Sequence, residues 1–139
     1  MIKINSNLNF SYKERPKIIS EISGNHNGSI SSLKKHILSA GKNGADLVKI
    51  QTYEPEDITF KNVKHYFKLK KGIWKNIDLW KLYQKACTPI KWHKEVFALA
   101  KDNNICLFST PFSLRAVDIL ENLNVKLYKI ASLEITDLK

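Results

Sequence analysis

The sequence predicts an α/β protein in which parallel strands alternate with helices. Four short runs of apolar, β-prone residues recur along the chain, as expected for strands that are buried on both faces of a sheet. Segments with a helical spacing of apolar residues lie between these runs. The resulting order, β-α-β-α-β-α-β, implies a parallel sheet with right-handed crossovers.

Each of the four runs carries polar residues toward its carboxyl end, where a buried strand does not easily tolerate them. The runs span residues 18–21, 47–51, 107–112 and 127–132. In parallel α/β folds, ligands bind at the carboxyl ends of the strands. We therefore expect these charged, amide and hydroxyl side chains to meet at one rim of the sheet and form an active-site face.

A polar lead-in precedes the first of these strands. Residues 1–15 predict irregular structure with at most a short edge strand or hairpin arm. Pro16 restricts the residue before it to extended geometry and opens the first strand, which we expect to reach residue 22. The domain boundary is therefore placed between residues 15 and 16.

Turn residues at 24–28 separate this strand from the first helix. Ser29 is the first of several candidate N-caps, and either Gly41 or Gly44 is expected to end the helix. Its apolar face is formed by Leu33, Ile37 and Ala40. The second strand is predicted over residues 45–51.

The stretch over residues 52–86 is unusually long for a βα connection, and such loops often serve as lids or binding loops. The pair Thr88-Pro89 predicts the next helix start, with a capping hydroxyl and proline at the first helical position. Strands are then expected over 105–109 and 126–131, with a helix between them. Because a barrel needs eight βα units, four units predict either a small open α/β protein or the front half of something larger.

Composition excludes some classes of protein. No apolar stretch of the 139 residues is long enough to span a membrane, and residues 1–7 lack the apolar core of a secretory signal. Cys87 and Cys106 are isolated, which favours two reduced thiols in a cytoplasmic protein over a disulfide. The net charge of +10 is scattered rather than clustered, and no nucleic-acid-binding motif accompanies it, so no nucleic-acid partner is predicted.

Four motifs make the prediction more specific, and together they resemble the sialic acid synthase family. They occupy residues 16–29, 48–53, 108–112 and 128–134, in the same order and at plausible spacings. The resemblance covers nearly the whole chain from Pro16 onward. Ser23-Gly24 and the segment from Leu82 to His93 look most like the pseudaminic acid synthase branch.

The resemblance implies that residues 16–139 are the N-terminal half of a (β/α)8 TIM-type barrel. Such enzymes join C3 of phosphoenolpyruvate to the aldehyde of an open-chain N-acetylated sugar, with C–O cleavage and loss of phosphate. The family implies a divalent metal, manganese or magnesium, whose histidine ligands lie on later strands, and a homodimer. N-acetylneuraminate synthase, legionaminate synthase and a catalytically inactive remnant acting as a binding module remain alternatives.

The site residues follow from matching this sequence to the family motifs. Lys49 and Lys129 suit the phosphate and carboxylate of phosphoenolpyruvate, since ammonium groups make charge-assisted hydrogen bonds to anions. Glu21 and Glu134 are the candidate catalytic residues, suited to sugar hydroxyls or to proton transfer. The remaining candidate substrate-binding residues are Gln51, Thr110, Phe112 and Ser132.

The histidines are not assigned to a site. His26 is expected to shape the first loop together with Asn25 and Asn27. His36, His65 and His93 are expected to be surface or packing residues. Trp74 lies in the long stretch and could face a sugar there.

Overall fold

A three-stranded parallel sheet with helices packed on it forms the centre of the protein. The computed structural model describes residues 2–4, 8–61, 69–136 and 138. The strands are β1 (Ile2–Lys3), β2 (Asn9–Phe10), β3 (Ile19–Glu21), β4 (Leu47–Thr52) and β5 (Leu107–Pro111). The helices are α1 (Ile30–Lys42), α2 (Pro55–Ile58), α3 (Leu79–Ala86), α4 (Ile90–Asp102) and α5 (Leu114–Asn122), followed by a 3-10 turn at Glu134–Thr136. The sheet order β3-β4-β5 confirms the predicted α/β fold with parallel strands.

The register of the sheet aligns the polar strand ends. Glu21 of β3 pairs with Lys49 of β4, and Gln51 of β4 pairs with Thr110 of β5. Paired residues on parallel strands point to the same face of a sheet, because side chains alternate between faces with a period of two. These four residues therefore share one face.

The opposite face packs against α1 and α4. Val48 and Ile50 are fully buried in this core, because they alternate with the polar residues of β4. The helices contribute Leu33, Ile37, Val96 and Ala100. One face of the sheet is thus covered by helices, and the other carries the rim residues.

A hairpin of β1 and β2 packs near the amino-terminal ends of β4 and β5. The two strands pair antiparallel, with Ile2 opposite Phe10, as the predicted hairpin arm requires. Leu8, between them, is buried in one cluster with Leu47 and Phe108. Further along the chain, the two terminal guanidinium nitrogens of Arg15 donate to the carboxylate of Asp46, at 2.8 and 2.7 Å.

The prediction of a fourth regular strand over residues 126–131 is wrong. A single parallel bridge joins Tyr128 to Ser109, and the N–H of Lys129 donates to the carbonyl of Ser109 at 3.1 Å. This segment pairs on one side only, since no further strand lies beyond it in the described part of the chain. A one-sided edge without a second neighbour is held by fewer hydrogen bonds than a central strand.

Two helix boundaries also refine the sequence-based expectations. The hydroxyl of Ser29 caps α1 as predicted. The helix continues through Gly41, and of the two predicted glycines it is Gly44 (φ 87°) that ends it, directly after the C-cap Asn43. Thr88 does not cap α4, because Pro89 has an extended ψ of 129° and the helix begins only at Ile90. The buried hydroxyl of Thr88 has no hydrogen-bond partner among the described residues.

The long stretch after β4 contains helix α2 and, later, helix α3; residues 62–68, with His65, lie outside the described residues. Cys87 and Cys106 are not bonded to each other, which confirms the prediction of two free thiols. Within the described ranges, every helix is too short or too polar to cross a lipid bilayer.

Candidate functional site at the strand ends

Three predicted site residues on three different strands meet on one face of the sheet: Glu21 ends β3, Lys49 is the third residue of β4, and Thr110 is the last but one of β5. The ammonium group of Lys49 donates to the hydroxyl of Thr110 at 3.1 Å and forms an ion pair with Glu21. Only 12% of the Lys49 side chain is exposed, and Thr110 is buried. The sheet register thus delivers a cation, a carboxylate and a hydroxyl to one point of the rim.

The carboxylate of Glu21 is held from the other side by Ser23. One carboxylate oxygen accepts the Ser23 N–H at 3.0 Å and the Ser23 hydroxyl at 2.8 Å. The second oxygen faces Lys49. Ser23 has a left-handed backbone conformation, with φ 49°, which turns both donors back toward the strand end.

A chain of buried polar groups lies behind the rim, on the helix side of the sheet. His93 Nε2 lies 2.9 Å from the hydroxyl of Thr52, which lies 2.6 Å from the hydroxyl of Ser109. The Ser109 hydroxyl in turn donates to the carbonyl of Ile50 at 3.2 Å. Burial lowers the pKa of His93 below its usual value near 6.5, against smaller raising effects of the Pro89 and Ile90 backbone. Helix α4 is therefore tied to the ends of both β4 and β5.

The sequence prediction described His93 as a surface or packing residue, and its hydrogen bonds were missed. The signal was its spacing on α4, because His93 shares the buried face with Val96 and Ala100. A polar residue on the core face of a helix requires a polar partner. That partner, Thr52, ends the neighbouring strand.

Aromatic rings pack around the turn that follows β4. The rings of Tyr53 and Phe112 meet edge to face with centroids 5.3 Å apart, and Tyr83 contacts Tyr53 similarly at 5.9 Å. Burial raises the pKa of Tyr53. The N–H of Phe112 donates to the carbonyl of Thr52 at 3.3 Å, so this donor is already used within the fold. Phe112 contributes its half-buried ring instead.

The other predicted site residues are Gln51 on β4 and three residues after β5, Lys129, Ser132 and Glu134. Lys129 and Ser132 are exposed after β5, and Gln51 is half-buried beside Thr110. Glu134 begins the 3-10 turn, and one of its carboxylate oxygens is buried without a hydrogen-bond partner in the described part of the chain. No hydrogen bond or ion pair joins these four side chains to Lys49 within the described residues.

His26 shapes the first loop, as predicted. It is fully buried, its ring meets Trp92 edge to face at 5.4 Å, and its Nδ1 accepts the N–H of Gly28 at 3.1 Å. Burial lowers its pKa, opposed by the backbone of Ala86. His36 is exposed on α1, and so is Trp74 in the long stretch. No three His, Cys, Asp or Glu side chains among the described residues converge as metal ligands.

An ion-pair cluster at the same end of the sheet was not predicted. Arg115, in the first turn of α5, donates to Glu54 at 2.8 Å and to Asp57 at 3.4 Å. Hydrogen bonding to Glu54 raises the pKa of Arg115. The partners are about sixty residues apart in the chain, so no local pattern indicates the contact.

Comparison with known proteins decides which family this arrangement represents. Residues 36–139 match the sequence model of the NeuB family. The chain belongs to the NeuB family. This confirms the resemblance to sialic acid synthases that the four motifs indicate.

Curated relatives refine this assignment. The chain is 44% identical over 123 residues to pseudaminic acid synthase of Helicobacter pylori, covering 88% of this chain and 36% of that protein. It is 41% identical over 129 residues to pseudaminic acid synthase of Campylobacter jejuni, covering 93% and 38%. N,N'-diacetyllegionaminic acid synthase of Campylobacter jejuni is 41% identical over 122 residues, covering 87% and 36%. The NeuB-family chain thus spans a little over a third of the length of these relatives.

A solved structure supports the fold. The N-acetylneuraminic acid synthetase of Leptospira borgpetersenii superposes with a TM-score of 0.73 at 25% identity, covering 89% of this chain and 39% of that chain. The sheet of this NeuB-family chain therefore corresponds to part of a larger synthase fold.

Proposed function

We propose that this chain supplies the phosphoenolpyruvate side of the active site of a nonulosonic acid synthase of the pseudaminic acid type. The observation that carries the proposal is the delivery of Lys49 to Thr110 and Glu21 at the carboxyl ends of three parallel strands. Ligands of parallel α/β proteins bind at this end of the sheet. The identity to pseudaminic acid synthases gives the reaction class.

Phosphoenolpyruvate carries a phosphate and a carboxylate, and both anionic groups are bound by cations and hydroxyl donors. Lys49 and Lys129 provide two ammonium groups on neighbouring parts of the rim, and Thr110 and Ser132 provide hydroxyls. Charge-assisted hydrogen bonds to such anions are about twice as strong as neutral ones. The buried position of Thr110 makes it a fixed guide for Lys49 rather than a freely exposed donor. In this proposal the ring of Phe112 and the amide of Gln51 also contact the substrate.

The second substrate in this proposal is an N-acetylated amino sugar in its open-chain form. Glu21 and Glu134 provide the acceptors for its hydroxyls or for proton transfer at the reacting carbons. A carbon–carbon bond forms between C3 of phosphoenolpyruvate and the sugar aldehyde, a C–O bond breaks, and phosphate leaves. The exposed fraction of the Glu21 side chain, 39%, leaves it accessible from the rim.

A divalent metal, manganese or magnesium, belongs to the family reaction, where it polarises the aldehyde. The described residues do not fit such a site, since no three ligating side chains converge. In this proposal the metal ligands lie on later strands of the barrel, outside the described residues. A homodimer and a cytoplasmic location are part of the same proposal.

The similarity to legionaminic acid synthase keeps a second acceptor sugar open within the same reaction class. The experiment is a chimera in which this chain replaces the matching third of the Helicobacter pylori relative. Phosphate release from phosphoenolpyruvate is measured with manganese and a panel of 2-acetamido sugars. We expect sugar-dependent release from the chimera and none from the 139-residue chain alone.

Two outcomes contradict this proposal. A folded chimera without phosphoenolpyruvate-dependent turnover indicates a remnant that binds or assembles without catalysis. Sugar-dependent turnover by the purified chain alone contradicts the incomplete site. The chimera carrying Lys49→Ala is the matched control, because it removes the ammonium group that contacts Glu21 and Thr110 and retains the sheet.

A further inference from the structure

We propose that Ser23 is a positioning residue of the rim, which holds one oxygen of Glu21 so that the other oxygen keeps Lys49 directed at Thr110. This inference rests on the proposed function, because it assigns the anion-binding geometry of that site to a residue outside it. Ser23 itself contacts neither Lys49 nor Thr110 through any hydrogen bond among the described residues.

The contacts form a continuous chain of donors and acceptors. Both the N–H and the hydroxyl of Ser23 donate to the same oxygen of Glu21, at 3.0 and 2.8 Å. The remaining oxygen pairs with the ammonium of Lys49, which also donates to Thr110 at 3.1 Å. A glutamate with three rotatable side-chain bonds would otherwise sample several rotamers at a strand end. Two donors on one oxygen select a single orientation.

The backbone conformation of Ser23 supports a specific role for this residue. Its φ of 49° lies in the left-handed region, which non-glycine residues adopt only at a cost. Glycine adopts this conformation freely, but glycine has no hydroxyl. The serine therefore provides a second donor to Glu21 at the expense of backbone strain.

Backbone hydrogen bonds on both sides of Ser23 fix the loop that follows β3. The N–H of Ile22 donates to the carbonyl of Lys49 at 3.0 Å, which extends the pairing of β3 with β4. The N–H of Asn25 donates to the carbonyl of Ile22 at 3.0 Å, which closes the turn around Ser23. The donors of Ser23 are consequently held in place by bonds on both sides.

The test compares Ser23→Gly with wild type by acetylation of lysines, followed by peptide mapping. An accessible amine reacts faster than an ammonium held in an ion pair. Ser23→Gly keeps the N–H and permits the same φ, so it removes the hydroxyl and relieves the backbone strain. We expect Lys49 to react about two- to tenfold faster in this variant, the range that one lost hydrogen bond implies.

Other lysines in the same digest separate positioning from a loosened strand. Lys17, just before β3, has a side chain 15% exposed and pairs with Glu14, so its rate reports fraying of that strand. Lys91 is exposed on α4, so its rate shows how fast the reagent acetylates an accessible lysine. The matched variant is Asn27→Gly, which relieves a similar left-handed residue (φ 51°) in the same loop. We expect Lys17 and Lys91 to be unchanged in Ser23→Gly, and Lys49 unchanged in Asn27→Gly.

A second variant and a ligand arm make the result decisive. Glu21→Gln removes the charge that pairs with Lys49 and should raise the Lys49 rate at least as much as Ser23→Gly. An unchanged Lys49 rate in Ser23→Gly, or a parallel rise of Lys17, overturns the inference. Phosphoenolpyruvate should slow the acetylation of Lys49 in wild type; a lack of protection contradicts the proposed function but leaves the Ser23 result standing.

Discussion

The two lysines of the rim are held differently by the protein. Lys49 is mostly buried and bound at its ammonium group, whereas Lys129 is exposed and anchored through its backbone N–H to Ser109. A buried, oriented cation loses less side-chain entropy when an anion binds. In the proposed function, Lys49 would therefore be the fixed part of the anion site and Lys129 the adaptable part.

Replacement of either lysine by alanine should weaken phosphoenolpyruvate binding. Each loses a charge-assisted contact of about 1.5 to 3 kcal/mol, which is roughly ten- to a hundredfold in affinity. Lys49→Ala should be the more severe, because it also leaves the carboxylate of Glu21 facing the anion. Calorimetric titration with phosphoenolpyruvate measures the effect, with His36→Ala on the exposed side of α1 as control. Unaltered binding in both lysine variants would remove the anion site from this rim.

Two buried histidines predict how stability depends on pH. Burial lowers the pKa of both His26 and His93 in the folded protein. In the unfolded chain both side chains have their ordinary pKa near 6.5, so below that pH the unfolded state binds more protons than the folded state. Their contribution to stability is complete above about pH 6.5 and is lost as the pH falls below it. Each histidine adds a slope of at most about 1.4 kcal/mol per pH unit.

Thermal melts at about pH 7, 6 and 5 measure this dependence. We expect the melting temperature to fall with acidification and to fall less steeply in His93→Gln, which cannot titrate. Lys91→Gln, at an exposed position on α4, should keep the wild-type slope, since a lysine does not change its charge between about pH 5 and 7. A flat profile in the wild type would mean that both imidazoles are accessible to protons in the fold.

At the scale of elements, the first loop and the end of α3 are in very close contact. A Cβ atom built on Gly24 would lie 2.9 Å from the carbonyl oxygen of Ala86. Backbone atoms cannot move aside cheaply, so the loop carrying His26 and Ser23 would have to shift. Glycine at this position is therefore required by the approach of two backbones.

Gly24→Ala should destabilise the protein by about 1 to 3 kcal/mol, the usual cost of overpacking. The same shift should weaken the contact between Ser23 and Glu21 and raise the reactivity of Lys49. Urea unfolding measures the first effect and lysine acetylation the second. Ser31→Ala, an exposed position on α1, is the control. Wild-type values for both readouts would show that the loop accommodates the added methyl group without moving.

The helices and central strands could be predicted because their signals are local. Ser29 and the spacing of Leu33 and Ile37 define α1, and the alternation in β4 follows from a helix-covered face and a polar rim. The fourth strand could not be predicted correctly, because pairing depends on a neighbour that no local pattern describes. Thr88 misled the prediction because a serine or threonine before proline often precedes a helix, but here the helix starts one residue later.

The sequence predicted which residues belong to the candidate site, but not which of them contact each other. Motif positions named Glu21, Lys49 and Thr110, yet only the sheet register brings them together. The hydrogen bonds of Ser23 and His93 depend on a left-handed φ and on a partner strand, which the sequence does not state. Contacts of this kind follow from tertiary structure alone.

At the scale of the whole molecule, apolar residues are exposed near both outer edges of the sheet. Ile18 and Ile19 at β3 are 60% and 46% exposed, and Ile130 and Leu133 after β5 are 59% and 75% exposed. The outer edge of β3 has no strand partner in the described ranges. Unpaired edges with apolar side chains favour association between chains.

The purified chain should therefore self-associate. We expect light scattering to report species larger than a monomer, and a hydrophobic dye to bind the exposed surface. Ile19→Lys should reduce the association, because a charge on an edge strand opposes pairing. A monodisperse monomer with a sharp two-state melt would instead indicate a self-sufficient open sheet.

The hairpin of β1 and β2 is synthesised before the strands of the central sheet. Leu8 leaves the ribosome before Leu47 and Phe108, the residues with which it shares a buried cluster. The segment that carries Leu8 is therefore outside the ribosome, and available to cover Leu47 and Phe108, when these residues emerge. Loss of the hairpin would expose this surface during synthesis, so we expect β1 and β2 to govern the yield of nascent chain more than its final stability.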